Sequence, residues 1–409
     1  AQKKTGIDLS EAQQEALASA LTNKVLLITG GPGTGKTTLI KAIVEVFLHA
    51  ELKVMLTAPT GRAAKRMQES TGHTAKTIHR LLEINPAGGA FTRDLKNPLL
   101  CDLLVVDELS MVDNALMHSL LKAVPRKGAL VLVGDPDQLP SVGPGNVLGD
   151  MIDSKALPMV RLTEVHRQSQ QSLIVMNAHK VNRGTIPELS FEPGVEQDFY
   201  FFPCEDPEDV ADKIIEIITD KIPNKFGFDP VRDVQVIAPM HKGPAGVQSL
   251  NTRLQDTLSP KGAQSIERGT RQYRAGDKVM QIVNNYDKDV FNGDIGIVKM
   301  LNSEKIELTV DFDSRQVRYD NKDLDEITLA YAITVHKSQG SEYPVVVMPV
   351  HTQHYVMLQR NLLYTALTRA RKLVVLVGSE KAIGIAVKHS PQRTRYTMLA
   401  LRLNELCKQ

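Results

Sequence analysis

A lysine and two threonines at the end of a glycine run carry the first readable chemistry in this chain. Residues 30–38 read Gly-Gly-Pro-Gly-Thr-Gly-Lys-Thr-Thr. Glycines at positions 30 and 35 let backbone N–H groups close around an anion, where any side chain would block the approach. Lys36 then reaches β- and γ-phosphates, and the Thr37 hydroxyl is a hard oxygen ligand for Mg2+. Two adjacent acids, Asp107 and Glu108, end a second apolar run at 103–107 (LLVVD). Asp107 is suited to holding Mg2+ through water and Glu108 to polarising an attacking water. Gln138 follows a third apolar run at 130–134 (LVLVG) and is placed to sense a γ-phosphate. Arg167, Arg369 and Arg371 are the cations available to reach such a phosphate from elsewhere in the chain. On local grounds each also reads as a solvated arginine.

The elements that must hold these groups are legible around them. Residues 25–29 (VLLIT) form a buried strand, and 39–48 (LIKAIVEVFL) have helical apolar spacing, so the glycine loop joins a strand to a helix. That places phosphate at a helix N-terminus, where the dipole favours negative charge. Upstream, Ser10 caps a helix carrying Gln13 and Gln14. A glutamine there can read an adenine edge through its amide, or lie solvated. A second strand at 53–57 ends in Ala58-Pro59-Thr60-Gly61-Arg62, whose hydroxyls and N–H groups suit a phosphodiester. His79 and Arg80 open another helix start at 77–82; both stretches also read as capped loops. Residues 84–97 (INPAGGAFTRDLKN) read as a small hairpin or as a surface loop.

Further on, 206–219 read as an amphipathic helix and 234–238 as a strand, followed by a basic glycine-containing turn at 239–246 (PMHKGPAG). Residues 269–325 change character. Short alternating runs separated by turns such as Asn292-Gly293-Asp294 point to a small β-barrel inserted into a second α/β domain. Arg268, Arg271, Arg274 and Lys278 give its entry a positive edge. The core returns at 329–340 (LAYAITVHKSQG) and continues through a strand at 345–348, a helix at 362–371 and a strand at 373–378.

At 409 residues the chain exceeds one core, and two or three domains are expected. A formal net charge of +2 means that any polyanion contact comes from local patches, not a global field. The cysteines at 101, 204 and 407 are far apart, which points to a reducing, cytoplasmic setting without disulfides or a zinc site. His79 and His336 stand alone and suggest no metal. No apolar run reaches membrane-spanning length, and the start is not a signal peptide. The chain begins without Met, which leaves room for a domain upstream.

In this order the motifs resemble those of superfamily 1 helicases, and within them the RecD-like 5′→3′ branch. GGPGTGKTT is similar to helicase motif I, TAPTGRAA to motif Ia, VVDELSM to motif II and LVGDPDQLPSVGPG to motif III. LTEVHR is similar to the arginine motif that follows, APMHKGPAGVQSLN to motif IV, ITVHKSQGSEYPVVV to motif V and LLYTALTRAR to motif VI. The match spans about residues 10–378, and DELS departs slightly from the alanine common at the third position of motif II. The resemblance implies an α/β fold of two RecA-like P-loop domains with parallel sheets and ATP in the cleft between them. It implies a first domain over 1–150 with a strand-splitting pin at 84–97. The second domain would span 151–268 and 326–409, with an SH3-like barrel inserted at 269–325.

The resemblance also implies the roles of individual residues. Gln14 matches the adenine-reading glutamine. Gly33, Thr34, Gly35, Lys36, Thr37 and Thr38, with Gly340 and Glu342, fall at the ATP, and Thr37 and Asp107 at Mg2+. Lys36, Asp107, Glu108, Gln138, Arg167 and Arg369 form the catalytic set, the last three as γ-phosphate sensors. Pro59, Thr60, Arg62, His79, Val142, His241, Lys242, Asn251, Thr334, His336 and Ser338 fall in motifs that line single-stranded DNA. The expected activity is ATP-dependent 5′→3′ DNA unwinding in repair or recombination, by a monomer acting on single strands and ss/ds junctions. A translocase that needs a partner to unwind, and a non-stepping ATP-switched nucleic-acid binder, are the other readings.

Overall fold

Runs of Val, Leu and Ile without polar alternation become strands buried on both faces, and here they form two parallel sheets. The computed structural model describes residues 9–84, 90–164, 171–190, 196–259, 264–269, 271–313, 315–390 and 395–407. The chain divides into two units, residues 1–171 with 392–409, and residues 172–391.

The first unit is a six-stranded sheet of β1 (Val25–Gly30), β2 (Val54–Ala58), β3 (Ala75–Thr77), β4 (Leu103–Val106), β5 (Ala129–Gly134) and β6 (Met159–Leu162). Its order is β3-β2-β4-β5-β1-β6 and every pairing is parallel. Helices α1 (Glu11–Thr22), α2 (Lys36–His49) and α3 (Gly61–Thr71) cover one face, burying Ala16, Leu39, Ile43 and Met67 against Leu26, Val105 and Val133. Helices α4 (Ile78–Leu82), α5 (Asn114–Ala123) and α6 (Val147–Ser154) cover the other, burying Leu81, Leu120 and Met151 against Leu104 and Leu132.

Two expected boundaries move. The first domain does not end at residue 150, because β6 pairs with β1 and completes the first sheet. Nor does the second domain keep the C-terminus. Helix Leu399–Leu406 packs Leu399 and Leu403 against the first unit's core, so 326–409 is not one domain segment. The flanks of the expected pin pair antiparallel at Ile84 and Phe91, and its tip at 85–89 lies outside the described residues.

In the second unit the strands are β7 (Phe199–Pro203), β8 (Val234–Ala238), β9 (Ser265–Arg268), β10 (Arg271–Arg274), β11 (Lys278–Gln281), β12 (Ile295–Asn302), β13 (Glu307–Phe312), β14 (Arg315–Tyr319), β15 (Ile327–Leu329), β16 (Ala332–Thr334), β17 (Tyr343–Val350) and β18 (Ala370–Gly378). A parallel sheet of order β16-β8-β17-β18-β7 forms the core. Between β8 and β16 the chain builds a five-stranded antiparallel sheet, β14-β13-β12-β11-β15, and a two-stranded ribbon, β9-β10. This insertion begins at Ser265 and ends at Leu329, slightly wider than the 269–325 expected. Its inward residues (Val279, Val298, Leu308, Val310, Tyr319) make a separate small core.

A buried carboxylate ties the insertion to the sheet that carries it. Asp277 is fully buried and accepts from Ser259 Oγ at 2.5 Å, Gln255 Nε2 at 2.6 Å, Tyr331 OH at 2.9 Å and the Arg274 N–H at 2.6 Å. Burial and the Asp277 charge push the Tyr331 phenol up from its ordinary range. Removing one partner of such a network leaves several buried groups unpaired. Asp277→Ala is therefore expected to destabilise the second unit by about 3 kcal/mol, read as an earlier urea midpoint. An unchanged midpoint would show that water replaces the carboxylate without loss.

Candidate nucleotide and nucleic-acid site

Four adjacent strands of the first sheet deliver the expected groups to one edge. In the order β2-β4-β5-β1, the carboxyl ends run into Pro59 and Thr60, then Asp107 and Glu108, then Gln138, then the glycine loop. Neighbouring strands lie about 4.8 Å apart, so β1 and β4 stand roughly 10 Å apart across β5. Ligands of open parallel sheets bind in the crevice at this edge.

The glycine loop is held by its own contacts. Gly35 caps α2 with φ 76°, a left-handed conformation that costs other residues about 1 kcal/mol or more. A Cβ on Gly30 would lie 2.7 Å from Thr34 Oγ1, so the close strand-to-loop turn requires glycine. Thr34 is buried and its hydroxyl donates to the Gly31 carbonyl at 2.9 Å. Lys36 Nζ donates to the carbonyls of Gly30 at 2.7 Å and Gly31 at 2.9 Å, which folds the lysine over the loop. Gly33 lies on the same loop, and Thr37 and Thr38 open α2, with Thr37 exposed.

The glutamine that touches this loop is Gln13. It is buried, and its Nε2 donates to the carbonyls of Thr34 at 3.2 Å and Gly35 at 3.4 Å. Its Oε1 accepts from the Ser10 N–H while Ser10 Oγ accepts from the Gln13 N–H, a capping box. Gln14 is exposed, and its amide donates to the Leu9 carbonyl at 2.8 Å. The one-residue rotation of the helix, 100°, turns Gln14 away from the loop.

The two acids point to different partners. Asp107 is buried; one of its oxygens accepts from the Glu108 N–H at 2.8 Å, and among the described residues the other accepts no hydrogen bond. Burial, then the Glu108 charge, push its carboxyl above the ordinary range, while Arg66 and Lys36 pull it back. Such a carboxylate fits a cation: a Mg2+ ion beside it reverses this balance. The hard-oxygen set of Asp107 and Thr37 suits that ion. Glu108 sits in the left-handed region at φ 53° and ψ 42°, which costs a non-glycine residue about 1–2 kcal/mol and persists only where the surroundings fix it. Its carboxylate meets Arg66 of α3, with Nη2 to Oε1 at 3.1 Å. Gln138 is buried, donates to Asp135 Oδ2 at 3.1 Å, and leaves its Oε1 without a hydrogen-bond partner. An orphan buried acceptor at this edge fits a site completed by a ligand.

The expected DNA-facing residues separate into accessible and inward groups. Thr60 caps α3 by accepting from the Ala63 N–H at 3.2 Å, beside half-buried Pro59 and Arg62. His79 stacks obliquely on Phe91 at 5.8 Å, and burial lowers its pKa against the opposing pull of Asp113. Val142 is 84% exposed at the tip of its loop. In the second unit His241, Lys242 and His336 are exposed.

Three residues of that expected set turn inward. Asn251 is buried and exchanges two hydrogen bonds with the Ala332 backbone, at 2.8 and 2.9 Å, which pins its helix to β16. Ser338 is fully buried and donates to the Val335 carbonyl at 2.8 Å. Thr334 is buried and accepts from the Lys337 N–H at 3.3 Å. Thr334 and Ser338 thus build the turn that carries exposed His336, and Asn251 holds a helix in place.

Arg369 is also buried. Its guanidinium donates to the carbonyls of Thr365 and Ser341, both at 3.2 Å, which ties it to the turn holding Gly340 (φ 71°) and Glu342. Arg371 pairs with Glu342 at 2.8 Å. Arg167 lies outside the described residues. Among the described residues no cluster of His, Cys, Asp and Glu has metal-site geometry, and no helix is long and apolar enough to cross a membrane.

Two residues were invisible to sequence reasoning. Arg66 lies 42 positions from its partner Glu108. Arg395 lies about 250 positions from the loop it grips, donating to the carbonyls of Ser141 at 2.7 Å, Gly143 at 2.8 Å and Gly145 at 2.6 Å. That grip fixes the loop bearing Val142. Neither arginine has a local motif to announce it.

A glycine loop at a helix start, paired acids one strand beyond its neighbour and a second parallel sheet with an antiparallel insertion define a P-loop NTPase of helicase architecture. Residues 13–144 match the family model described as AAA domain. Residues 250–312 match the SH3 domain of ATP-dependent RecD-like DNA helicases, and 329–377 the UvrD-like helicase C-terminal domain. The chain is 30% identical over 436 residues to the RecBCD enzyme subunit RecD of Mycobacterium tuberculosis, covering 98% of this chain and 73% of that protein. The chain belongs to the RecD-like family of superfamily 1 helicases.

It is also 40% identical over 408 residues to the ATP-dependent RecD2 DNA helicase of Deinococcus radiodurans, covering 98% of this chain and 53% of that protein. It thus spans about half the length of that relative. Among solved structures, the fold is similar to a Pif1 helicase from Bacteroides in complex with ADP-AlF3 and ssDNA (TM-score 0.57, 20% identity, 98% of each chain). It is likewise similar to Pif1 from Candida albicans (TM-score 0.55, 20% identity, 98% of each chain). The two expected parallel-sheet, RecA-like domains with an SH3-like insertion are the fold of the chain.

Proposed function

We propose that this chain is the motor of an ATP-dependent DNA helicase that moves 5′→3′ along single-stranded DNA and opens duplex at ss/ds junctions, in DNA repair or recombination. The observation that carries the reading is the row of loops on β2, β4, β5 and β1. It sets a phosphodiester-binding turn, two acids, a glutamine and a phosphate loop along one rigid sheet edge. Hydrolysis and grip then act on neighbouring strands, and a change at one is felt at the other.

In this reading Lys36 and the loop N–H groups hold the triphosphate, and Gln13, in place of Gln14, is the glutamine that senses the occupied loop. Thr37 and Asp107 would hold Mg2+, which neutralises phosphate charge when bound. Glu108 polarises the attacking water, and Gln138 offers its free Oε1 to that centre. Arg369 and Arg167 remain the proposed γ-phosphate partners, and Arg369 must leave the Ser341 carbonyl to serve. Grip falls to Thr60, Arg62, His79, Val142, His241, Lys242 and His336, and goes mostly to phosphate and sugar, so sequence preference is low. Direction follows from family membership. The protein acts as a cytoplasmic monomer.

The relative that is a RecBCD subunit favours a second reading, a motor that needs partners to unwind. A non-stepping switch has no use for Glu108. ATP-driven release of streptavidin from biotinylated single strands tests the motor. Release from the 3′ end alone is expected; release from neither end, with DNA-stimulated hydrolysis intact, would contradict stepping.

A further inference from the structure

Arg66 lies outside the expected motif set, and its side chain bonds the proposed water-polarising acid. It pairs with Glu108 at 3.1 Å, and the pair is nearly out of solvent, with side chains 22% and 7% exposed. Arg66 stands on α3, whose first residue follows Thr60, in the turn proposed to grip DNA. One helix thus runs from that turn to the catalytic carboxylate, on the order of 9 Å at 1.5 Å per residue.

Alanines pack the start of α3 and a methionine its middle. Near its start the buried face is alanine: Ala63 and Ala64 rest on Ala58 and Ala75. These small side chains hold the start of the helix lightly, while Met67, one turn further on, seats it in the first unit's core. At the other end of the path, Glu108 is held in a left-handed turn that points its carboxylate at Arg66.

We propose that Arg66 is a positioning residue that carries DNA occupancy at the Thr60 turn to Glu108. A strand bound at that turn shifts α3, the guanidinium shifts with it, and the carboxylate it holds is re-aimed at the water. The proposal deepens the function given above and rests on it. Glu108, the partner of Arg66, is proposed to act on water and not to hold the triphosphate, so loss of the pair is expected to alter the response to DNA more than the binding of ATP.

The test compares steady-state ATP hydrolysis with and without oligo-dT for Arg66→Ala, Arg66→Met and Glu108→Gln. Arg66→Met keeps the apolar stem and removes the charge, which separates packing from pairing. Both Arg66 variants are expected to bind ATP normally and to show a DNA stimulation ratio near 1. A ratio retained by either variant, whatever the absolute rate, would overturn the proposal. Loss of ATP binding in both would do the same, because the arginine would then be supporting the fold. Glu108→Gln separates the two claims: if it hydrolyses ATP normally, the reading of Glu108 fails first, independently of Arg66.

Discussion

Lys36→Ala is expected to abolish ATP hydrolysis, by at least about 10³-fold, because electrostatic stabilisation of the transferring phosphoryl group is the largest single contribution in such sites. Lys36 Nζ now donates to two loop carbonyls, at 2.7 and 2.9 Å. In the proposed site, phosphate oxygens would replace those acceptors, and the ammonium is the full positive charge that the loop offers them. The variant keeps its helix: α2 is capped by Gly35 and buries Leu39, Ile43 and Phe47 independently of the lysine. The apo protein therefore unfolds at close to its usual temperature. What disappears is the stabilisation by ATP, about 2.7 kcal/mol for the native chain at a hundred times its dissociation constant. Turnover at the native rate would remove Lys36 from the site.

Glu108→Gln has the second large effect and a different signature. Glutamine keeps the shape and loses the charge that polarises water. Turnover is expected to fall by about 10² to 10⁴, the usual range for a lost general base, while ATP still stabilises the protein. Binding without turnover distinguishes this variant from Lys36→Ala, in which both are lost. A rate within a few-fold of native would transfer the catalytic role to another group.

Much of this was legible because local chemistry and tertiary role coincide. The glycine loop needs a strand before it and a helix after it, and residues 25–48 carry both signals in one stretch. Asp107 and Glu108 end an all-apolar strand, a place where acids stay only for a reason. The insertion showed itself by alternating residues and by Asn292-Gly293. What failed did so where neighbours come from far along the chain. Arg66 on an amphipathic helix looks solvated until the sheet brings Glu108 beside it.

The C-terminal helix reads like any late helix. Only the burial of Leu399 and Leu403 against the first core shows where it belongs. Gln13 and Gln14 differ by one position, and it is the reach of Gln13 to the Thr34 and Gly35 carbonyls, 21 and 22 positions on, that separates them. Asn251 and Ser338 sit in motifs that line DNA in related helicases, yet backbone groups claim both side chains.

The most direct test of the central claim is ATP-driven strand displacement on duplexes carrying either a 5′ or a 3′ single-stranded tail. The account predicts displacement from the 5′-tailed duplex alone, lost in Lys36→Ala. Displacement from the 3′-tailed duplex alone would contradict the direction, and displacement from neither, with DNA-stimulated hydrolysis intact, would contradict an autonomous helicase.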